Sequence, residues 1–120
     1  MRKSLINENS NQRFARAERL RKRSEIDRVF TYGKTLSCRG MKLRYIENSR
    51  GYNRLVVVPE RKLRNAVRRN AAKRVARELF RTAKPRFCGG YDCALIMFAG
   101  TYSFDDRHRQ FSYLSRKAGL

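Results

Sequence analysis

Several residue types are scarce in this sequence of 120 residues, and each shortage excludes a class of protein. The chain has no tryptophan, two prolines, one histidine and ten acidic residues. Its apolar runs fall short of the roughly 18 residues that a membrane-spanning helix needs, and no apolar segment of roughly 7 to 15 residues follows Met1 as in a secretory signal. We therefore predict a cytoplasmic protein that does not enter a membrane.

Cysteine is also scarce, and its number is odd. Cys38, Cys88 and Cys93 lie in or beside apolar segments, which is typical of reduced thiols in a protein core. A structural zinc site needs four ligands, and Cys88 and Cys93 with the single His108 supply neither that number nor a common spacing. We therefore expect no metal site and no cofactor bound by the protein alone.

Positive charge, by contrast, is abundant. Lysine and arginine number 30 against 10 acidic residues, so the formal net charge is +20, and 22 of the cations are arginine. An excess of this size favours a polyanionic partner, of which nucleic acid is the first candidate. Arginine pairs with phosphate through two hydrogen bonds and stacks on bases, which favours structured contacts over mere solubility. An anionic membrane surface is the alternative, but no helix outside the expected core opposes a bulky apolar face to lysine.

The apolar pattern predicts one α+β domain behind a polar arm. Residues 1–12 lack periodicity and are expected to form a mobile arm, and residues 13–120 a single RNA-binding domain. The first predicted elements are a helix from an N-cap at Ser24 to Gly33, strands at 34–38 and 41–46, and a hairpin partner at 55–58. The later elements are a helix over 65–84, a strand at 91–98 buried on both faces, and a helix capped by Ser103 or Asp105 that buries Phe111, Leu114 and Ala118.

The long helix carries the strongest functional signal. Its apolar residues form one stripe at about 100° per residue: Ala72, Val75, Ala76, Leu79 and Ala83. The opposite side carries Arg69, Asn70, Lys73, Arg74, Arg77 and Arg81. Since Glu78 is the only acid between Arg61 and Arg86, like charges on this side destabilise the helix unless phosphates compensate them. A solvated charged face is the alternative, but charge of a single sign favours polyanion binding, and Asn70 suits a base or ribose.

These residues resemble a known family, the protein subunits of bacterial ribonuclease P. Arg61-Lys62, Asn65-Ala66 and the run RRNAAKRVARELF are similar to the signature helix of that family, with its pattern matched by Arg69, Asn70, Lys73, Arg74, Arg77 and Glu78. The segments RLRKRSEIDRVFTYG, RLVVVPERK, GYDCALIMF and the closing RKAGL are similar as well. The resemblance covers roughly residues 14–120.

The resemblance implies both a fold and a function. The fold is an α+β sandwich, helix-β-β-β-helix-β-helix, with a mostly antiparallel four-stranded sheet and an unusual left-handed βαβ crossover. The function is to bind the catalytic RNA of ribonuclease P and the 5′ leader of precursor tRNA, so that the RNA removes the leader with the help of Mg²⁺. The protein would then have no catalytic residue of its own and would act as a monomer in a one-to-one complex with the RNA.

Matching positions imply two sets of binding residues. The set for the catalytic RNA is Arg61, Lys62, Arg68, Arg69, Asn70, Lys73, Arg74, Arg77 and Arg81. The set for the leader, in a cleft between the first helix and the sheet, is Ile26, Phe30, Arg39, Lys42 and Arg44. Single strands bind such surfaces by stacking and phosphate contacts. Alternatively, the last helix covers the outward sheet face and buries Val56 and Val58.

Two other functions are compatible with parts of the sequence. Asp105, Asp106 and His108 could hold a metal or serve as acid and base in a nuclease, but adjacent carboxylates point in different directions, and we expect Asp105 to cap the last helix. A general RNA-binding or ribosomal-type protein, or less well a DNA-compacting protein, would share the charge. Neither would need the spacing of Arg, Asn and Lys on the long helix.

Overall fold

Three helices and four strands follow one another in the predicted order. The computed structural model describes residues 16–63, 65–84, 87 and 89–120, so the predicted arm at 1–12 lies outside the described residues. After a 3-10 turn at Arg16–Glu18, the elements are α1 (Arg23–Tyr32), β1 (Lys34–Cys38), β2 (Met41–Glu47), β3 (Arg54–Pro59), α2 (Ala66–Ala83), β4 (Tyr91–Met97) and α3 (Phe104–Ala118). Within these ranges no helix combines the length and apolar character needed to cross a membrane. The predicted α+β class is confirmed.

The strands form one mixed sheet in the order β1-β2-β4-β3. β2 pairs antiparallel with both β1 and β4, whereas β3 pairs parallel with β4. The predicted hairpin between β2 and β3 is therefore wrong, because β4 lies between them. Residues 92–95 of β4 are all buried, and a strand with both faces covered is stable at the centre of a sheet. The parallel pair needs a crossover, which α2 supplies, and the left hand of that crossover stays a prediction.

One face of the sheet forms the main core with α2 and α3. Met41, Leu43, Leu95 and Met97 are fully buried on this face. The buried residues that the helices add are Ala76, Leu79, Phe80, Ala83, Phe111 and Leu114, with Ala72, Val75 and Ala118 packed against them. The apolar stripe predicted for the long helix is thus confirmed, and Phe80 widens it. The cationic side of α2 consequently points away from the core.

The opposite face of the sheet is partly covered by α1. Val29 of α1 packs with Leu20 and Ala94 in a small buried cluster, and Ile26 and Val56 pack at its margin. The alternative that the last helix covers this face is wrong, because α3 packs beside α2 on the other side of the sheet. The first helix therefore sets how much of the cationic strand β2 stays open to a ligand.

The starts of α2 and α3 follow ordinary capping chemistry. The Asn65 side chain accepts a hydrogen bond from the backbone N–H of Val67 at 2.7 Å. At α3, Ser103 Oγ accepts from the Asp106 N–H at 3.0 Å, and the Asp106 carboxylate accepts from the Ser103 N–H at 2.9 Å. This reciprocal pair satisfies two N–H groups that the helix itself leaves free. Asn65 and Ser103 therefore fix where these two helices begin.

Two predicted caps are wrong. Asp105 does not cap α3, because it occupies the second helical position, and only Asp106, one residue later, reaches back to the N-cap. Ser24 does not cap α1 either, because the helix already begins at Arg23 and its N-cap, Lys22, makes no side-chain capping bond. Since α1 lacks a cap, its position depends on contacts with the sheet.

A buried ion pair joins α1 to the sheet. The Arg54 guanidinium donates to both carboxylate oxygens of Asp92, at 2.8 and 2.7 Å, and also to Glu25 of α1 at 3.2 Å. The hydrogen bond to Asp92 is the main reason that the pKa of Arg54 is raised, and the hydrogen bond from Arg54 is the main reason that the pKa of Glu25 is lowered. Arg50 adds a second cation 3.4 Å from Glu25. This network connects β3, β4 and the first turn of α1.

We expect Asp92→Asn to lower the free energy of unfolding by about 3 to 5 kcal/mol, because it leaves the buried Arg54 charge without its main partner. Urea titration followed by circular dichroism measures this loss. The control is Asp27→Asn, which removes the same charge from an exposed i,i+4 pair with Arg23 at 3.9 Å and should cost about 0.5 kcal/mol or less. Equal losses in the two variants would contradict a structural role of the buried pair.

Candidate nucleic-acid interface

The face of α2 that points away from the core is cationic, as predicted. Arg68, Arg69, Asn70 and Arg74 are exposed, and Lys73, Arg77 and Arg81 are half-buried. Arg61 and Lys62 lie exposed in the turn between β3 and α2. The members of the predicted catalytic-RNA set from Arg69 to Arg81 share one side of α2, whereas Arg68, one turn before Ala72, lies at the helix start on the side of the apolar stripe. We call the cationic side of α2, from Arg69 to Arg81, the α2 face.

Intramolecular contacts fix the ends of the α2 face and leave its middle open. The Arg69 guanidinium donates to the carbonyl of Leu63 at 3.3 Å, and Arg81 pairs with Glu78 at 2.6 Å. The Arg81 hydrogen bond is the main reason that the pKa of Glu78 is lowered. In the described part of the chain, no ion pair involves the three central cations, Lys73, Arg74 and Arg77. Their charge is available to an external anion.

The α2 face continues into a groove at the outer edge of β3. Lys73 and Arg77 line one side of this groove, and Arg19 and Arg21 line the other, above a floor formed by residues 55–57. The groove has a volume of about 350 Å³. The backbone N–H of Leu20 donates to the Leu55 carbonyl at 2.9 Å, which holds the segment against the strand edge. A phosphate chain lying on α2 would therefore meet cations from two separate segments.

Arg19 and Arg21 were not among the residues predicted to bind RNA. The basic run RLRKR at 19–23 was visible in the sequence, but only its neighbourhood in space reveals that it adjoins α2. The isolated bridge between Arg19 and Leu55 produces this neighbourhood, and a one-residue bridge has no periodic signal in the sequence.

The second predicted surface brings Phe30 and Arg44 together. The Arg44 guanidinium carbon lies 5.5 Å from the centroid of the Phe30 ring, and the guanidinium donates to the Phe30 carbonyl. The Phe30 side chain remains 38% exposed, so one aromatic surface is open beside a fixed cation. The Arg44 Nε is buried and has no hydrogen-bond partner among the described residues. An aromatic ring next to a held guanidinium is a surface that can stack a base and contact its phosphate.

The structure places the other three predicted leader residues in different surroundings, and only Lys42 lies on the same face of β2 as Arg44. Lys42 projects from the same face of β2, two residues from Arg44, and lies 5.9 Å from the Phe98 ring centroid. Ile26 packs half-buried in the small cluster under α1, so it supports the helix. Arg39 lies in the β1–β2 turn and lines a cavity with residues of α3, away from α1.

Of the residues considered for an autonomous nuclease site, Asp106 has a structural role instead. Asp106 completes the α3 cap. Its pKa is lowered mainly by the hydrogen bond from the Ser103 N–H and further by Arg109, which lies 3.0 Å away. Asp105 and His108 are exposed on the same helix. In the described ranges no three His, Cys, Asp or Glu side chains come together in a group that could hold a metal ion.

The two thiols that the structure describes, Cys38 and Cys93, form no disulfide. Cys93 is buried in β4, and burial is the main reason that its pKa is raised. Cys38 is half-buried at the end of β1 and its pKa is raised by the same cause. Cys88 lies outside the described residues. Raised pKa values keep both described thiols protonated and unreactive at neutral pH.

Comparisons with known proteins agree with this geometry. Residues 14–119 match the family model described as ribonuclease P. The chain is 41% identical over 85 residues to the ribonuclease P protein component of Petrotoga mobilis, an alignment that covers 71% of this chain and 72% of the relative. It is 33% identical over 103 residues to that of Natranaerobius thermophilus, covering 84% and 90%. The solved structure of the RNase P protein from Thermotoga maritima is similar with a TM-score of 0.75 and 30% identity, covering 83% of this chain and 96% of that one.

Proposed function

Since the chain belongs to the ribonuclease P protein family and so serves in maturation of the tRNA 5′ end within a ribonucleoprotein, we propose that it binds two RNAs at once. The catalytic RNA lies on the α2 face and its edge groove. The 5′ leader of precursor tRNA lies on the cleft between α1 and β2. We propose one protein for each catalytic RNA, in the cytoplasm.

The observation that carries this proposal is the uncompensated middle of the α2 face. Lys73, Arg74 and Arg77 present three positive charges within five residues, about 6 Å along the helix. Nearby acids are committed elsewhere: Glu78 pairs with Arg81, and Glu18 pairs with Lys84 at 2.8 Å. Binding to closely spaced RNA phosphates releases condensed counterions and relieves the repulsion among these cations.

In this proposal the RNA partner, with its Mg²⁺, performs the hydrolysis. Two-metal phosphoryl transfer needs several carboxylates that converge on one point. The described carboxylates are instead paired with arginine or lysine, bonded to a backbone N–H as Glu60 and Asp106 are, or exposed singly. The protein contributes binding. It holds substrate and catalytic RNA together and screens the repulsion between their phosphates, which lowers the Mg²⁺ concentration that cleavage requires.

The leader is proposed to bind beside Phe30 and Arg44 because this site combines an open ring with a positioned cation. A base stacks on Phe30, and the phosphate that follows it contacts Arg44 or Lys42. Mature tRNA has no leader to place there. The cleft therefore discriminates the substrate from the product of the reaction.

We expect the RNA that copurifies with the tagged protein from its native host to be one large structured species. Sequencing the bound RNA after a wash at moderate salt tests this expectation, and the recovered RNA should cleave precursor tRNA when it is recombined with the protein. Recovery of ribosomal RNA alone, with no cleavage on recombination, would instead support a ribosomal-type protein. The matched control is the protein with alanine at Lys73, Arg74 and Arg77, which should recover far less of the same RNA.

A further inference from the structure

A second cavity opens at the end of the sheet where β2 begins. It lies between the β1–β2 turn, the loop from β4 to α3, and the first turns of α3, and its volume is about 680 Å³. Cavities that hold small ligands typically measure roughly 300 to 1,000 Å³, so one nucleotide fits this space. Its lining includes the side chains of Arg39, Tyr102, Arg109, Gln110 and Tyr113.

The ring of Tyr102 is held rigidly at the wall of this cavity. A Cβ on Gly40 would lie 2.6 Å from the ring, and a Cβ on Gly100 would lie 2.4 Å from it, so both positions require glycine. The Arg107 guanidinium lies 4.4 Å from the ring centroid and is itself fixed by donating to the carbonyls of Gly40 and Phe98, at 2.6 and 2.7 Å. A ring supported in this way is a preorganised surface for stacking, since its rotamer is already fixed.

The remaining wall combines an exposed ring with cations. Tyr113 is 51% exposed, and the Lys117 ammonium lies 5.6 Å from its centroid. Arg39 and Arg109 supply two positive charges, against the single carboxylate of Asp106 in the lining. The Asp106 carboxylate already accepts a hydrogen bond from the Ser103 N–H and pairs with Arg109. A base can therefore stack on the aromatic rings of the cavity and form hydrogen bonds with the Gln110 amide along its edge, and the net positive charge can bind a phosphate.

The cavity is walled by α3, on the side of the sheet opposite α1, so a strand that leaves the proposed leader cleft reaches it by passing around the end of β2. Arg44 and Lys42 point from the outer face of β2, and the strand then leads to the turn that holds Arg39. Arg39 and Arg44 are five residues apart, so the path between them is at most roughly 17 Å at about 3.4 Å per residue. Lys42 beside the Phe98 ring lies midway on this path.

We propose that this cavity is a binding subsite for one nucleotide of single-stranded RNA, with its base against Tyr102 and Tyr113 and its phosphate at Arg39 or Arg109. The proposal rests on the proposed function in one respect, namely that the nucleotide belongs to the leader and lies beyond the part held at Phe30. A single strand is the occupant because a base can enter the cavity only when it is unstacked, which a duplex does not allow.

The test compares precursor tRNAs with two leader lengths, one that ends within the Phe30 cleft and one several nucleotides longer. The protein is assembled with its catalytic RNA, and Tyr113→Ala and Arg39→Ala are measured separately. Each should weaken binding of the long-leader substrate roughly fivefold or more and leave the short-leader substrate unchanged. Tyr52→Ala, an exposed tyrosine in the turn before β3, is the matched control and should change neither.

A second measurement tests the subsite without the leader assignment. The tyrosine ring resonances of the free protein are followed by NMR during titration with a short single-stranded oligouridylate and, separately, with uridine monophosphate. Shifts of Tyr102 and Tyr113 with the oligonucleotide, reduced by Arg39→Ala, support the subsite even if Phe30→Ala shows that the leader binds elsewhere. Unmoved ring signals, or an equal loss for both leader lengths in the first experiment, would overturn the proposal.

Discussion

Replacement of Lys73, Arg74 and Arg77 by alanine should lower the affinity for the catalytic RNA roughly a thousandfold or more. Each hydrogen bond to a charged group contributes about 1.5 to 3 kcal/mol, so each lost contact costs roughly a factor of ten. The helix should still form, because alanine has the highest helical propensity and the three side chains make no ion pair within the described residues. Filter binding over a range of salt concentrations measures both the affinity and its salt dependence.

The salt dependence separates phosphate contacts from a general effect of charge. The slope of log K against log salt should become flatter by about 2 to 3 in the triple variant, nearly one unit for each lost phosphate contact. The matched control removes three exposed cations elsewhere, Arg28, Lys34 and Arg116. It has the same net charge but should keep most of the slope. Equal losses in the two triple variants would mean that the α2 face is merely solvated.

Phe30→Ala should weaken the binding of precursor tRNA by roughly five- to a hundredfold, as expected for one lost stacking contact, and should leave mature tRNA unaffected. The reason is that only the precursor has a leader to place on the exposed ring beside Arg44. The measurement is the ratio of the two dissociation constants for the protein assembled with its catalytic RNA.

Conservative variants distinguish stacking from packing at this position. Phe30→Leu keeps apolar bulk but removes the aromatic surface, so it should behave like Phe30→Ala for the precursor. Phe30→Tyr keeps the surface and should bind like the original protein. Arg44→Lys keeps the charge but loses the planar group that lies against the ring, so it should have an intermediate effect. An equal loss for precursor and mature tRNA would make Phe30 a structural residue of α1.

Local patterns explain which parts of the structure the sequence predicted. The length of α2 and its two faces follow from periodicity and from the run without glycine or proline between Asn65 and Lys84, so the placement of its cations on one side of the helix could be predicted. The burial of Phe111 and Leu114 in α3 follows from the same kind of signal. Strand pairing is different. β3 pairs with β4 because β4 is buried at the centre of the sheet, and the residues of the turn between β2 and β3 do not indicate this pairing.

Contacts between distant segments explain what the sequence did not reveal at the site. Arg19 and Arg21 join the α2 face only through the backbone bond from Leu20 to Leu55. Arg39 lies beside α3 because Arg107 ties the β1–β2 turn to the loop after β4. Neither contact produces a periodic pattern, a capping residue or a motif in the sequence.

The central claim is that this chain assists an RNA catalyst by binding, and cleavage of precursor tRNA across a Mg²⁺ series tests it most directly. Three reactions are compared: protein alone, catalytic RNA alone, and both together. The account predicts no cleavage by the protein, cleavage by the RNA at high Mg²⁺, and cleavage by the complex at clearly lower Mg²⁺. Cleavage at the mature 5′ end by RNA-free protein, lost in Asp105→Ala or Asp106→Ala, would contradict it.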